Sequence, residues 1–224
     1  MSTPHERAAR ARGGPGPLRA VLFDMDGVIR HWDDVGANAG EDAAGLPRGA
    51  VNEVAYAIPE FWQTQVGEVT AREWAEAVGR ALAERYGPGA ERAAEIYFDY
   101  AGRIDREMVA LVGAVRERVP VALLSNATDQ LREHLEHHEL LETFDVVFSS
   151  AELRMAKPDV AIFRHAAEVL GVRTEECFFT DDRPANVEGA RAAGMHAEVF
   201  TSREDLVRHL AALGLDLRVH PNGA

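Results

Sequence analysis

Cysteine is almost missing from this chain: of 224 residues only Cys177 is one. A lone thiol makes no intramolecular disulfide and no multi-cysteine zinc site, which fits a reducing compartment. Its neighbours Phe178 and Phe179 read as a strand, so Cys177 is expected to be a core thiol rather than a nucleophile. Positive charge is also short, with 24 Lys and Arg against 37 Asp and Glu and a net charge of -13. That balance argues against a nucleic-acid backbone or an anionic membrane surface as the main partner. An anionic substrate then needs a locally positive or metal-loaded site. No apolar run approaches the roughly 20 residues that span a bilayer. The basic start, with Arg7, Arg10 and Arg12, leads into Gly13-Gly14-Pro15-Gly16-Pro17 instead of an apolar signal region. Residues 1–17 read as a disordered tail, and the chain as a cytoplasmic enzyme or binding protein, monomer or homodimer. Internal repeats and long low-complexity segments are likewise missing.

What is present in quantity is apolar residue, 46% of the chain, enough for one large domain or one domain with a substantial insertion. The run Ala20-Val21-Leu22-Phe23 has the length and apolarity of a fully buried parallel strand. It ends in Asp24-Met25-Asp26-Gly27, which puts two carboxylates at a strand's carboxyl end, the edge of an open α/β sheet where ligands bind. Pleat alternation lets Asp24 and Asp26 face a common space. Two like charges so close need a divalent cation, or one of them must hold a proton. The ordinary reading is an Asp-Gly turn.

From about residue 34 to 106 nothing reads as a buried strand. Thr70-Ala71-Arg72-Glu73 has capping-box spacing, and Trp74, Ala77, Val78, Ala81 and Leu82 recur at helical intervals until Gly87 and Pro88. Ala93, Ile96, Tyr97 and Tyr100 mark another amphipathic helix. Strand and helix then alternate: a helix from Met108 to Arg118, a strand at Val119–Leu124 ending in Ser125-Asn126, a helix over 129–139, and a strand at Phe144–Phe148. A helix follows Lys157-Pro158-Asp159, a strand at Cys177–Thr180 ends in Asp181-Asp182, and a helix runs over 184–193. A last strand at His196–Phe200 precedes a helix capped by Ser202. The pattern predicts an α/β fold, a Rossmann-like, doubly wound parallel sheet with an inserted α-helical cap. The core is expected at 18–33 and 107–214, the helical cap at 34–106, and a C-terminal tail at 215–224.

In such a sheet all the carboxyl ends share one edge, so Asp24, Asp26, Ser125, Asn126, Lys157, Asp181 and Asp182 converge. Acids that hold a hard cation, a hydroxyl that bonds phosphate oxygens and a lysine that neutralises them describe a phosphoryl-transfer site. The sequence at this point resembles the haloacid dehalogenase-like superfamily, in its phosphatase branch with a helical cap after the first strand. The resemblance covers about residues 19–213. It rests on LFDMDGVI at 22–29, LLSNAT at 123–128, Lys157 within AKPD, and FFTDDRPANVEGA from 178, in that order.

The resemblance implies that Asp24 is the nucleophile forming an aspartyl-phosphate and Asp26 the acid that protonates the leaving alkoxide and later activates water. Mg²⁺ would be held by Asp24, the backbone carbonyl of Asp26 and Asp182, with Asp181 a direct ligand or acting through a water. Ser125, Asn126 and Lys157 would bind the phosphate. Each has an ordinary structural role open to it: Ser125 as a helix cap, Lys157 as an exposed lysine, Asp181-Asp182 as capping acids. Asn186 stands where many relatives carry another acid and is read as supporting the loop. His134, His137 and His138 read as a solvated helical face.

The expected function is hydrolysis of a small phosphomonoester, a sugar phosphate or similar metabolite. A phosphomutase is the nearer alternative, followed by a haloacid dehalogenase, which does not need Asp26, and a non-catalytic relative. A response-regulator receiver lacks the helical insertion. Arg30, Trp32, Trp62 and Gln63 are candidates for substrate contact.

Overall fold

Ala20, Val21, Leu22 and Phe23 all have no solvent exposure, and together they form β1 (Ala20–Phe23). An uninterrupted apolar strand is stable only where both its faces are covered. Val21 and Phe23 join the hydrophobic cluster on one side of the sheet, Ala20 and Leu22 the cluster on the other. The computed structural model describes residues 18–217, so the expected N-terminal tail and residues 218–224 lie outside the described residues.

After β1 the chain turns at Gly27 into β2 (Arg30–His31). Five helices follow: α1 (Val35–Ala44), α2 (Ala50–Ala57), α3 (Pro59–Thr64), α4 (Ala71–Tyr86) and α5 (Arg92–Asp99). Thr70 caps α4 reciprocally with Glu73, its hydroxyl accepting from the Glu73 amide and its own amide donating to the Glu73 carboxylate. This helical block has a hydrophobic cluster of its own, with Val51, Val54, Trp74, Val78, Leu82 and Ala93 at its centre. β3 (Arg103–Ile104) returns antiparallel to β2. The sequence gives no sign of this ribbon, because strands of two residues carry no period.

The chain then alternates through α6 (Arg106–Arg116), β4 (Val121–Ser125), α7 (Leu131–His137), β5 (Val146–Ser149), α8 (Ser150–Leu153), α9 (Val160–Leu170), β6 (Cys177–Asp181), α10 (Pro184–Ala193), β7 (His196–Val199) and α11 (Arg203–Ala212). Five strands make one parallel sheet in the order β5-β4-β1-β6-β7. α6 begins two residues earlier than the apolar pattern predicts, because the Asp105 carboxylate caps it by accepting from the amides of Glu107 and Met108. Residues 215–217, expected in the C-terminal tail, belong to the core: Leu215 and Leu217 are buried in its cluster, and Arg118 donates to the Asp216 carbonyl. No described helix is long and apolar enough to cross a membrane.

Candidate active site

Strand order brings the polar strand ends together. β1 lies between β4 and β6, so Asp24, just beyond β1, stands between Ser125 at the end of β4 and Asp181 at the end of β6. Lys157, from the loop between α8 and α9, fills the space among them. Its Nζ lies 2.7 Å from Asp24 Oδ1 and 2.6 Å from Asp181 Oδ2, with all three side chains buried. A buried ammonium shared by two carboxylates is tolerable only because each charge meets its opposite.

The two acids after β6 differ. Asp181 is saturated by protein donors, taking bonds from Lys157, from Asn186 Nδ2 to both oxygens at 3.0 and 2.9 Å, and from the Arg183 amide at 2.8 Å. Asp182 is exposed, yet it offers an oxygen within 4.8 Å of ligand atoms from Asp24 and Asp181. Gly27 makes that approach possible. It has a φ of 82°, and a Cβ there would sit 2.3 Å from Asp182 Oδ2.

Burial pushes the Asp24 carboxyl up to about 8; Lys157 opposes the shift, and Asp181 and Asp26 add to it. Burial likewise raises Asp182, reinforced by the neighbouring Asp181. Two carboxyls, Asp24 and Asp182, made harder to ionise by burial and by their acidic neighbours are what a hard divalent cation relieves, and the donors are all oxygens. The residues present therefore fit such an ion.

Asp26 is held differently. Arg30 donates to it twice, from Nε to Oδ1 at 2.6 Å and from Nη2 to Oδ2 at 3.1 Å. The same buried guanidinium meets His134 Nδ1 at 3.1 Å and lies 4.5 Å from the centre of the Trp32 ring. Gly102, at a φ of 78°, leaves room for it, since a Cβ there would stand 2.9 Å from Arg30 Cγ and Cδ. Arg30 is thus a clamp on Asp26 rather than a free substrate ligand.

A cavity of about 400 Å³ separates this edge from the helical block. Asp24, Asp26, Asn126, Lys157 and Asp182 form its floor, and Arg30 and Trp32 line it too. Ser125 is not among the lining residues; it is buried beneath, and its hydroxyl has no hydrogen-bond partner among the described residues. The Asn126 side chain is spent on the Lys157 loop, donating to the Lys157 carbonyl and accepting from its amide, both at 2.8 Å. It therefore positions the Lys157 loop with one of its two amide hydrogens, and the other remains at the cavity lining.

Two of the residues expected at the substrate lie elsewhere. Trp62 is 65% exposed, and neither it nor Gln63 lines the cavity. The inner face at α3 is set by Phe61 and Gln65, four residues apart and both lining, which turns Trp62 outward. The rings of Trp74 and Tyr97 also reach the cavity, although their spacing marks them only as a helix's apolar face. Of the three histidines read as solvated, His137 is exposed, but His134 is half-buried at the site and His138 Nε2 meets the Ala101 carbonyl. His134 lies between the buried Leu131 and Leu135, and that flank is the sequence signal for its inward position.

Residues 18–194 match the family model described as haloacid dehalogenase-like hydrolase. The chain is 32% identical over 213 residues to Phosphatase MT3486 of Mycobacterium tuberculosis, covering 88% of this chain and 95% of that one. It is 29% identical over 186 residues to Sesquiterpene phosphatase astK of Aspergillus oryzae, covering 80% and 87%. Among solved structures, a HAD family enzyme of Bacteroides thetaiotaomicron, in complex with magnesium and inorganic phosphate, superposes with a TM-score of 0.68. Its identity to this chain is 23%, over 85% of this chain and 98% of that one.

Proposed function

The chain belongs to the haloacid dehalogenase-like hydrolases, and from that premise we propose that it is a Mg²⁺-dependent phosphatase acting on a small phosphomonoester through Asp24. The observation that carries this reading is the state of Asp24. Its Oδ1 is held by Lys157 and by the Met25 amide at 2.8 Å, which leaves Oδ2 without a hydrogen-bond partner among the described residues, at the floor of a cavity.

In this reading Asp24 attacks phosphorus, and the bond from phosphorus to the ester oxygen breaks. Asp26 gives its proton to that leaving oxygen. Asp26 then takes a proton from water as the water attacks the aspartyl-phosphate, which releases inorganic phosphate and restores Asp24. Arg30 orients Asp26 for both transfers, and Lys157 offsets the charge that gathers on phosphate and nucleophile. The unpartnered Ser125 hydroxyl is a donor for a phosphoryl oxygen. Mg²⁺, when bound, supplies positive charge that draws phosphate to Asp24 and ionises the carboxyl. Asp24, the Asp26 carbonyl and Asp182 would hold it; the saturated Asp181 instead positions Lys157. Residues 34–106 act as a cap over a core of 18–33 and 107–214.

The test is phosphate release from p-nitrophenyl phosphate. Turnover with Mg²⁺ that is lost with EDTA and with Asp24→Asn supports the reading. No turnover of any phosphomonoester by folded, Mg²⁺-bound protein overturns it.

A further inference from the structure

The cavity wall opposite Asp24 is made of aromatic rings. Phe61 of α3, Trp74 of α4 and Tyr97 and Phe98 of α5 line it, and Tyr56 of α2 joins them. The rings are braced against one another, with centres 4.9 Å apart for Tyr56 and Phe61, 5.4 Å for Phe61 and Trp74, and 4.7 Å for Trp74 and Phe98. Trp32 and Tyr100 form a second pair at 6.0 Å. Trp32 and Tyr56 keep 45% and 48% exposure, as residues at a rim do.

Among the described residues, most of the polar atoms on these rings are already engaged; one hydrogen of the Tyr56–Tyr97 pair and the indole N–H of Trp32 at the rim are not. The Tyr56 and Tyr97 hydroxyls bond each other at 3.2 Å, the Tyr100 hydroxyl donates to Asp33 at 2.6 Å, and the Trp74 indole donates to the Ala55 carbonyl at 3.1 Å. Among the described residues that line the cavity from the helical block, none is charged, and Gln65 is the one polar side chain that is not a tyrosine. Every charged lining group sits on the sheet edge, its loops or β2. The wall has no cation for a carboxylate, no acid for an amine and one amide for a polyol. The hydrogen-bonding lining groups Thr128, Gln130, Arg183 and Asn186 lie on the core side, so the hydroxyls of a sugar that reaches the helical block would stand against ring faces there, and each left unpaired costs on the order of tenfold in affinity.

We propose that the leaving group of the substrate is uncharged, unsaturated and apolar, an aryl or prenyl alcohol, selected by the rings of Phe61, Trp74 and Phe98. This rests on the phosphatase reading of the same site. It also replaces the sugar phosphate expected from the sequence. A cavity of about 400 Å³ lies in the lower part of the usual ligand-pocket range, which suits a ring system or a short isoprenoid beside the phosphate.

The experiment compares kcat/KM of the full chain with Mg²⁺ for geranyl monophosphate, 1-naphthyl phosphate, glucose 6-phosphate, phosphoserine and acetyl phosphate. Geranyl phosphate and glucose 6-phosphate are both esters of primary alcohols, so their enzymatic ratio, corrected for the spontaneous C–O ionisation of the allylic ester without enzyme, reads recognition of the leaving group. A ratio of at least about tenfold in favour of geranyl phosphate is expected, reduced severalfold in Phe61→Ser. In the inactive Asp24→Asn chain, quenching of tryptophan fluorescence by geranyl phosphate should come at a lower concentration than by glucose 6-phosphate. The naphthyl arm tells an aryl from a prenyl preference. Glucose 6-phosphate or phosphoserine turned over as well as the apolar esters overturns this proposal and leaves the phosphatase standing. No turnover of any of the four esters or of the more reactive acyl phosphate overturns both.

Discussion

Arg30 and Asp26 are joined by two hydrogen bonds, of 2.6 and 3.1 Å, four residues apart on a two-residue strand and the turn before it. The fork of a guanidinium fixes the plane of a carboxylate, which a point-charge ammonium does not do. If Asp26 moves protons, the plane in which it is held decides whether its oxygen meets the leaving group.

Arg30→Lys is therefore expected to lower kcat about 10- to 100-fold while KM changes little, since misplacing a reacting group by about an ångström costs that much. Steady-state kinetics with Mg²⁺ check this. A variant with the wild-type kcat would show that the clamp has no part in turnover.

Lys157 holds apart two buried acids, Asp24 and Asp181. In Lys157→Met both lose their buried counter-charge, and the cost is expected to be roughly 3 to 5 kcal/mol of stability. Mg²⁺ returns positive charge to the same place. Thermal melts should thus show a larger loss in EDTA than in saturating Mg²⁺. Equal losses in both would mean that the cation does not sit beside Lys157.

The sheet was legible because four of its five strands, β1, β4, β5 and β6, are apolar runs that end in or lead directly into acid or hydroxyl residues. Asp24, Lys157, Asp181 and Asp182 were legible because parallel strands leave their ends on one edge. The Arg30 clamp was not, since it joins a half-buried acid to a two-residue strand and to His134 more than a hundred residues away. Trp74 carried a pattern that says only that it is buried, and no spacing singled out Phe61 or Phe98. A helix's apolar face reads the same in sequence whether it packs on a neighbour or on a cavity. Trp62 stood out by size, and the turn geometry of a short helix sent it outward.

Asp181 and Asp182 are adjacent but separable. Asp182 has no protein donor among the described residues, whereas Asp181 has three different ones. Asp182→Asn is expected to weaken Mg²⁺ binding by roughly 10- to 100-fold with little change in the metal-free melting temperature. Asp181→Asn turns an amide donor toward Lys157, and lowers the metal-free melting temperature by several degrees. Calorimetric titration and melts distinguish the two. The reverse assignment would make Asp181 the direct ligand.

His134 connects the clamp to pH. Because Arg30 Nη1 is a donor, His134 Nδ1 must accept, so the ring is neutral with its proton on Nε2. Burial, and then the Arg30 charge, push its pKa below the ordinary 6.5. His138 is shifted the same way by burial. Above pH 6.5 the ring is neutral in folded and unfolded chains alike, so His134 costs the fold nothing there. As pH falls below 6.5 the unfolded chain takes the proton first, so stability declines until the lower, folded-state pKa is passed. His134→Gln keeps an oxygen to accept from Arg30 and removes the titration. Between pH 7 and pH 5 its melting temperature should shift less toward instability than that of the wild type; the raised carboxyls of Asp24 and Asp182 act in the opposite direction but alike in both chains, and those of Glu73 and Glu176 are depressed. Parallel slopes would place the acid sensitivity of this fold in other groups, His138 first among them.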